Sequence, residues 1–182
     1  MTIKAIKTEL NDVYLIKEER FCDERGFFVE AFNLKKFKDL TGFDGDFVQD
    51  NHSKSHMNVV RGLHYQIKYP QGKLVRCILG SITDVVVDLR RNSSTFGKSL
   101  MVQLPSSDNT QLWIPPGFAH GFYVLSQHAE VMYKTTDYYY PEYERTLLWN
   151  DPALNLTWNS HNPIISSKDA LGKTLEECEK YE

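Results

Sequence analysis

The sequence predicts an all-β fold, a β-sandwich or small barrel of which the double-sheet jelly roll is one form. Three observations point there. Short runs alternate apolar and polar residues with the period of a half-buried strand, as in Thr83-Asp84-Val85-Val86-Val87-Asp88-Leu89-Arg90. Gly and Pro corners separate those runs, the sharpest being Pro115-Pro116-Gly117. Ten Tyr and ten Phe supply the aromatic residues that strands favour.

The 182 residues are expected to form one domain, 1–182, because a chain of this length buries roughly 70% of its unfolded surface. A hydrophobic fraction of 41% and a charged fraction of 25% are globular, without a disordered tract or repeat. A net charge of -3 argues against a nucleic-acid surface, since phosphate-tracking proteins gather Lys and Arg into basic patches. No segment approaches the ~20 apolar residues of a membrane span, and the start, Met1-Thr2-Ile3-Lys4, has no signal-like apolar run. A cytoplasmic protein is expected. Cys22, Cys77 and Cys178 are far apart with no CxxC spacing, which suits reduced thiols, and Cys77 is expected in the core.

Taken in order, Val13 to Ile16 reads as a first strand. Phe21 to Glu30 reads as a hairpin turning at Asp23 to Gly26, with Arg25 at the tip and Glu30 on its second strand. By itself that is a surface hairpin with a solvated salt bridge, worth ~0–1 kcal/mol. Asn33 to Gly42 has an Asn cap, apolar residues at helical spacing and a terminal Gly, and so predicts a short helix. Phe47 to Lys54 predicts a strand carrying Gln49, Asp50 and Asn51, polar enough to hydrogen-bond a ligand and equally explained as a polar edge.

The stretch from Val59 to Arg90 is strand-like and carries too many polar groups for a plain core. Thr83, Val85, Val87 and Leu89 fall on one face, which is expected to be apolar, and Asp84, Val86, Asp88 and Arg90 on the other, which is expected to be functional. With His64, Lys73 and Arg76 on neighbouring strands, this predicts the wall of a pocket for an anionic substrate, with His64 as the candidate base. Further on, Leu100 to Leu104 is a strand, Ser106 to Thr110 a turn, and the proline corner presents His120. Ala129 to Thr135 is a strand containing Tyr133, ending in an aromatic cluster from Asp137 to Pro141. Leu147 to Pro152 predicts one last strand, the tail through Ser166 to Asp169 reads as loop, and Thr174 to Lys180 predicts a terminal helix, with a Thr cap and Glu177 three residues later.

Taken singly, His64 and Tyr133 are more often core residues than catalysts. Their company alters that reading. Pro115-x-Gly117-x-x-His120 resembles the second motif of the cupin jelly rolls. Asp23-x-Arg25-Gly26-Phe27-Phe28, Gln49-Asp50-Asn51-His52-Ser53, Arg61-Gly62-Leu63-His64, Gln71-Gly72-Lys73-Leu74-Val75-Arg76, Asp84-Val85-x-Val87-Asp88, Trp113-Ile114-Pro115-x-Gly117-Phe118-Ala119-His120-Gly121-Phe122 and Tyr133-Lys134, in that order, are similar to the dTDP-4-dehydrorhamnose 3,5-epimerase family. The resemblance runs from roughly Asp12 to Asp169.

It implies a cupin-type barrel that inverts C3 and C5 of a dTDP-linked 4-keto-6-deoxy sugar without a redox cofactor or metal. Inversion beside a ketone removes an α proton, passes through an enolate and returns a proton to the opposite face. The resemblance makes His64 the base, imidazole being the side chain that titrates nearest neutral pH, with Asp169 orienting it. Lys73 would meet the enolate oxygen and Tyr133 would donate the returning proton. Arg25, Glu30, Gln49, Asn51, Arg61, His120, Glu144 and Lys168 are implied to surround the nucleotide and diphosphate, with Tyr139 stacked on the thymine. A homodimer that exchanges N-terminal strands is also implied, with Arg25 and Glu30 reaching the partner's pocket.

His52, His56, His128 and His161 receive no role. In an ideal strand Arg61 and His64 point to opposite faces, so a bulge at Gly62 is needed to bring both to one ligand. The rivals are a metal cupin using His64 and His120, weakened because Gln66 stands where a second imidazole is wanted, a non-catalytic sugar-nucleotide binder, and a relative that inverts C3 or C5 alone.

Overall fold

The computed structural model describes residues 2–158 and 162–182; His161 lies outside them. The strands are β1 (Ile3–Lys7), β2 (Tyr14–Glu18), β3 (Arg20–Asp23), β4 (Gly26–Val29), β5 (Gln49–His56), β6 (Val60–Gln66) and β7 (Lys73–Leu79). They continue as β8 (Ser81–Asp88), β9 (Ser99–Pro105), β10 (Thr110–Ile114), β11 (Phe118–Val124), β12 (His128–Thr135) and β13 (Glu144–Thr146). Helix α1 is Leu34–Thr41 and α2 is Ser167–Ala170. A six-stranded sheet in the order β1-β2-β10-β7-β12-β5 faces a five-stranded sheet in the order β13-β6-β11-β8-β9, and β3 and β4 form a hairpin of their own. This is the cupin-type double sheet that the sequence predicts.

Three hydrophobic layers hold it together. Between the sheets lie Val75, Leu112, Ile114 and Val131 of one sheet against Ile82, Val86, Leu104, Phe122 and Val124 of the other. Outside the larger sheet, Phe37 of α1 packs edge-on against Trp113, their ring centroids 5.0 Å apart, with Ile16 and Leu74 beside them. Outside the smaller sheet, Leu63, Tyr65, Val85 and Val87 are covered by Leu147, Leu154 and Cys178. Both faces of β8 are therefore buried, which corrects the expected division into an apolar and a functional face. Ile82 and Val86 join the inter-sheet core, Asp84 meets His120, and Asp88 is bound by Arg90, Ser93 and Thr95, outside the cavity.

Helix α1 forms as its sequence predicts. The Asn33 side chain accepts from the Lys36 N–H, and Gly42 closes the helix at φ 73. The hairpin turns where expected, although Glu30 lies one residue beyond β4. Four details differ from expectation. Strand β1 precedes the predicted first strand and pairs along β2. The last strand is Glu144–Thr146, and Leu147 just beyond it exchanges two backbone hydrogen bonds with Leu63 and bridges to Lys173. Asp169 lies in a helical turn capped by Ser166 and not in a loop. Thr174 and Glu177 make the predicted reciprocal capping bonds, the Thr174 N–H to Glu177 Oε2 at 3.3 Å and the Glu177 N–H to Thr174 Oγ1 at 3.4 Å, but no helix grows from them. Nucleating a short helix is costly: one turn closes, with the Cys178 N–H on the Thr174 carbonyl at 2.9 Å, and the chain then reaches Tyr181, which bridges to Arg90.

The parity of β6 resolves at Gly62. β11 pairs His120 with His64 and Phe122 with Arg61, so β6 carries one extra residue between the two pairs. Gly62 sits at φ +113, and a Cβ there would lie 2.7 Å from the Gly121 Cα and 2.7 Å from the His120 carbonyl oxygen. Only glycine combines that dihedral with that approach. Gly62→Ala is expected to destabilise the protein by about 3 kcal/mol, from backbone strain plus overpacking, and to lower its Tm by ~6–12 °C. Thermal unfolding measures this; a variant as stable as wild type would show that β6 does not need the glycine.

Candidate active site

A cavity of about 350 Å³ opens between the sheets. The larger sheet contributes Gln49, Asn51 and Ser53 from β5, Lys73 from β7 and Tyr133 from β12. The smaller sheet contributes Arg61, His64 and Gln66 from β6, His120 from β11 and Glu144 from β13, and Tyr139 borders the cavity as well. Opposed sheets thus present a histidine on one wall and a lysine and a tyrosine on the other.

Asp169 sits behind His64. The His64 Nε2 is 2.6 Å from Asp169 Oδ1, and the Gly62 N–H donates to Asp169 Oδ2 at 3.2 Å. Helix α2 aims this carboxylate, with the Asp169 N–H bonded to Ser166 Oγ at 3.1 Å. Burial alone would raise the Asp169 pKa, but the bonds from His64, Gly62 and Ser166 outweigh it and hold the carboxyl below its ordinary value. One ring nitrogen of His64 is committed to Asp169; in a neutral imidazole that donates there, the other nitrogen carries the lone pair that a base needs.

Lys73 is 7% exposed and donates to the His64 carbonyl at 3.2 Å. Burial pulls its pKa down to about 8, against the opposing pull of Asp84 and Glu144, so the ammonium form still predominates at neutral pH. Burial raises the Tyr133 phenol, against the pull of Arg61, and keeps it protonated. His120 is buried with its Nε2 3.0 Å from Asp84 Oδ2, and desolvation lowers its pKa despite that carboxylate.

Near the mouth, the Tyr139 hydroxyl donates to Glu144 Oε2 at 2.8 Å, which pushes the phenol up to about 12. Lys168 bonds the other Glu144 oxygen at 2.9 Å. Burial would raise Glu144, but the bonds from Lys168 and Tyr139 hold it below its ordinary value. Along β5 the inward row is a chain of amides and hydroxyls: Gln49 bonds Asn51 at 2.9 Å, and Ser55 accepts from Arg61 Nε at 2.9 Å.

The structure therefore gathers His64, Lys73, Tyr133, Gln49, Asn51, Arg61, His120, Tyr139 and Glu144 around one cavity, with Asp169 and Lys168 directly behind it. Arg25 and Glu30 stand apart from the cavity of their own chain. Arg25 pairs with Asp23 at the exposed hairpin tip, and Glu30 pairs with Lys36. Sequence reasoning missed Ser53, Gln66 and Gln71 as lining residues and Asp84 as the partner of His120. The period of two along β5 extends from Gln49 and Asn51 to Ser53 and was a usable signal; the others depend on cross-strand contacts. Among the described residues, no three His, Cys, Asp or Glu side chains gather as metal ligands, and no helix is long and apolar enough to cross a membrane.

Fold and site together define a cupin-type double-sheet barrel with an acid–base pocket between its sheets. A family model described as dTDP-4-dehydrorhamnose 3,5-epimerase matches residues 7–177. Over 180 residues the chain is 49% identical to the dTDP-4-dehydrorhamnose 3,5-epimerase of Shigella flexneri, covering 98% of this chain and 99% of that one. The Legionella pneumophila Philadelphia 1 dTDP-6-deoxy-D-glucose-3,5-epimerase, solved with dTDP-4-keto-L-rhamnose, matches at a TM-score of 0.95 and 44% identity over 98% of this chain and 95% of that one. A Bacillus anthracis dTDP-4-dehydrorhamnose 3,5-epimerase solved with TDP and PPi matches at a TM-score of 0.91 and 40% identity, over 95% of this chain and 99% of that one. The chain belongs to the dTDP-4-dehydrorhamnose 3,5-epimerase family.

The depressed Asp169 pKa has a pH consequence. Its folded value lies below the unfolded value of about 3.9, so the bonded carboxylate contributes stability above that pH, lost as pH falls through the folded pKa. Asp169→Asn is expected to lose ~1–3 kcal/mol at pH 7 and to show a shallower loss of stability in acid than wild type. Urea unfolding at pH values from about 2 to 7 measures this; an acid limb as steep as that of wild type would remove Asp169 from the linkage.

Proposed function

We propose that the protein inverts C3 and C5 of dTDP-4-dehydro-6-deoxy-D-glucose to give dTDP-4-dehydro-6-deoxy-L-mannose, as one domain, 1–182. The observation that carries this reading is the pairing of walls: His64 with Asp169 on one sheet, Lys73 and Tyr133 on the other, around one cavity. The sugar ring lies between them. His64 takes the proton α to the C4 carbonyl, and the C–H electron pair becomes the C=C bond of an enolate whose negative oxygen faces the Lys73 ammonium. Tyr133 then gives its phenolic proton to the carbon from the opposite face, which inverts it, and solvent restores both groups. The same steps at the second α carbon complete the reaction.

For binding, Arg61, His120, Gln49, Asn51, Glu144 and Lys168 surround the nucleotide diphosphate, and Tyr139 stacks on the base. A guanidinium suits diphosphate because it can meet two oxygens at once. The working unit is a homodimer. Support comes from the hairpin: a lone two-stranded hairpin is marginal in water, and this one exposes Phe27 and Phe28, both at 60%. A second copy covers those rings and places Arg25 and Glu30 at the partner's pocket.

In D2O, with EDTA and without NAD(P)H, proton NMR is expected to show deuterium entering at both C3 and C5. His64→Ala should abolish exchange and leave dTDP affinity within about twofold. Exchange at one carbon alone would indicate a mono-epimerase, and an active His64→Ala would remove His64 as base. For the assembly, light scattering should report a dimer for wild type and a weakened one for Phe28→Asp; a monomeric wild type that remains active would overturn the shared pocket.

A further inference from the structure

Gln66 is the buried polar side chain at the cavity to which the reaction assigns no part. It ends β6 and is 3% exposed. Its carboxamide makes three hydrogen bonds, all to backbone: Nε2 donates to the Tyr69 carbonyl at 2.8 Å and to the Tyr138 carbonyl at 3.1 Å, and Oε1 accepts from the Tyr140 N–H at 2.7 Å.

The Tyr138 carbonyl and the Tyr140 N–H belong to the two peptide planes on either side of the Tyr139 Cα. Those planes define φ and ψ of Tyr139, the only soft backbone dihedrals a residue has. One amide thus fixes the backbone that aims this ring. The ring's far end is fixed separately by Glu144, which lies directly opposite Gln66 in the β13–β6 pairing, and the Tyr139 N–H bonds Gln49 at 3.3 Å. Through Tyr69 the same amide also ties down the second loop at the mouth, residues 67–72.

A carboxamide supplies two donors and an acceptor, which is what two carbonyls and one N–H require. A carboxylate of the same shape supplies only acceptors and would face both carbonyls with like partial charge.

We propose that Gln66 is a positioning residue for recognition of the nucleotide base, holding the Tyr139 ring as a preset stacking platform at the mouth of the cavity. The proposal rests on the functional reading above and deepens it. Gln66 touches no reacting atom and acts through Tyr139. Because the platform is set before the nucleotide arrives, less ordering remains to be done on binding.

The test is calorimetric titration of wild type, Gln66→Glu, Gln66→Met, Tyr139→Ala and the Gln66→Glu/Tyr139→Ala double variant with dTDP and, separately, with inorganic pyrophosphate. Gln66→Glu is expected to raise the dTDP Kd about tenfold, ~1.4 kcal/mol, within the range for one base stacked on an aromatic ring. For the uncharged Gln66→Met the dTDP Kd should rise in the same direction while the pyrophosphate Kd stays within about twofold of wild type. In the Tyr139→Ala background Gln66→Glu should add less than about twofold, because the two residues act as one unit.

Gln66→Met is read in the same way should Gln66→Glu fail to fold. Equal losses for dTDP and pyrophosphate in Gln66→Met, or fully additive losses in the double variant, would overturn the proposal. So would unchanged dTDP affinity in both Gln66 variants while wild type binds, which sinks this inference alone. A wild type that does not bind dTDP would overturn the functional reading, and this inference with it.

Discussion

The hydrogen bond between His64 and Asp169 joins residues 105 positions apart in the chain, and most of the pocket depends on that closure. To make it, the segment after β13 must travel back over the smaller sheet, where Leu147, Leu154 and Cys178 cover Leu63, Val85 and Val87. Helix α2 then aims Asp169 inward and leaves Lys168 beside Glu144. The layer that buries one face of the sheet is therefore the same layer that completes the site on the other. A carboxylate held this way stabilises an imidazolium when one forms, without itself giving up its charge.

The second constraint is electrostatic. A buried lysine is costly unless carboxylates lie within reach, and here Asp84 and Glu144 partly offset the penalty on Lys73. Asp84 is itself turned toward His120, and Glu144 toward Lys168 and Tyr139. Each charge is thus tied to another group that borders the same cavity. In the proposed reaction an enolate oxygen near Lys73 would complete this arrangement, and its stabilisation would grow as charge develops.

Glycine supplies the geometric counterpart. Gly62 and Gly121 face each other across β6 and β11 at a separation that no side chain allows. The extra residue this permits in β6 brings Arg61 and His64, which a regular strand would point apart, to the same cavity. A hairpin that stands outside both sheets, with Phe27 and Phe28 exposed, shows the opposite case, a local element that neither sheet of its own chain covers.

The sequence by itself determined the class of fold and the family, and named most of the side chains that gather at the cavity. Alternation along β8 and β12, the Asn33 cap with its Gly42 stop, and the turn at Asp23 to Gly26 are local signals, carried by backbone preferences within a few residues. His64, Lys73 and Tyr133 could be named together from the sequence because the motifs that hold them stand in the order of the family the chain resembles, and all three line the cavity. Tertiary structure decided the rest. Both faces of β8 are buried because residues far along the chain cover the sheet. Thr174 to Lys180 closes a single turn and not a helix, because Tyr181 just beyond it is drawn into a bridge with Arg90. The amide of Gln66, which the sequence marks only as standing where a metal site would want an imidazole, acquires its meaning from three backbone groups in two different loops. A strand's period tells which face a side chain takes; only packing of distant segments tells what it meets there.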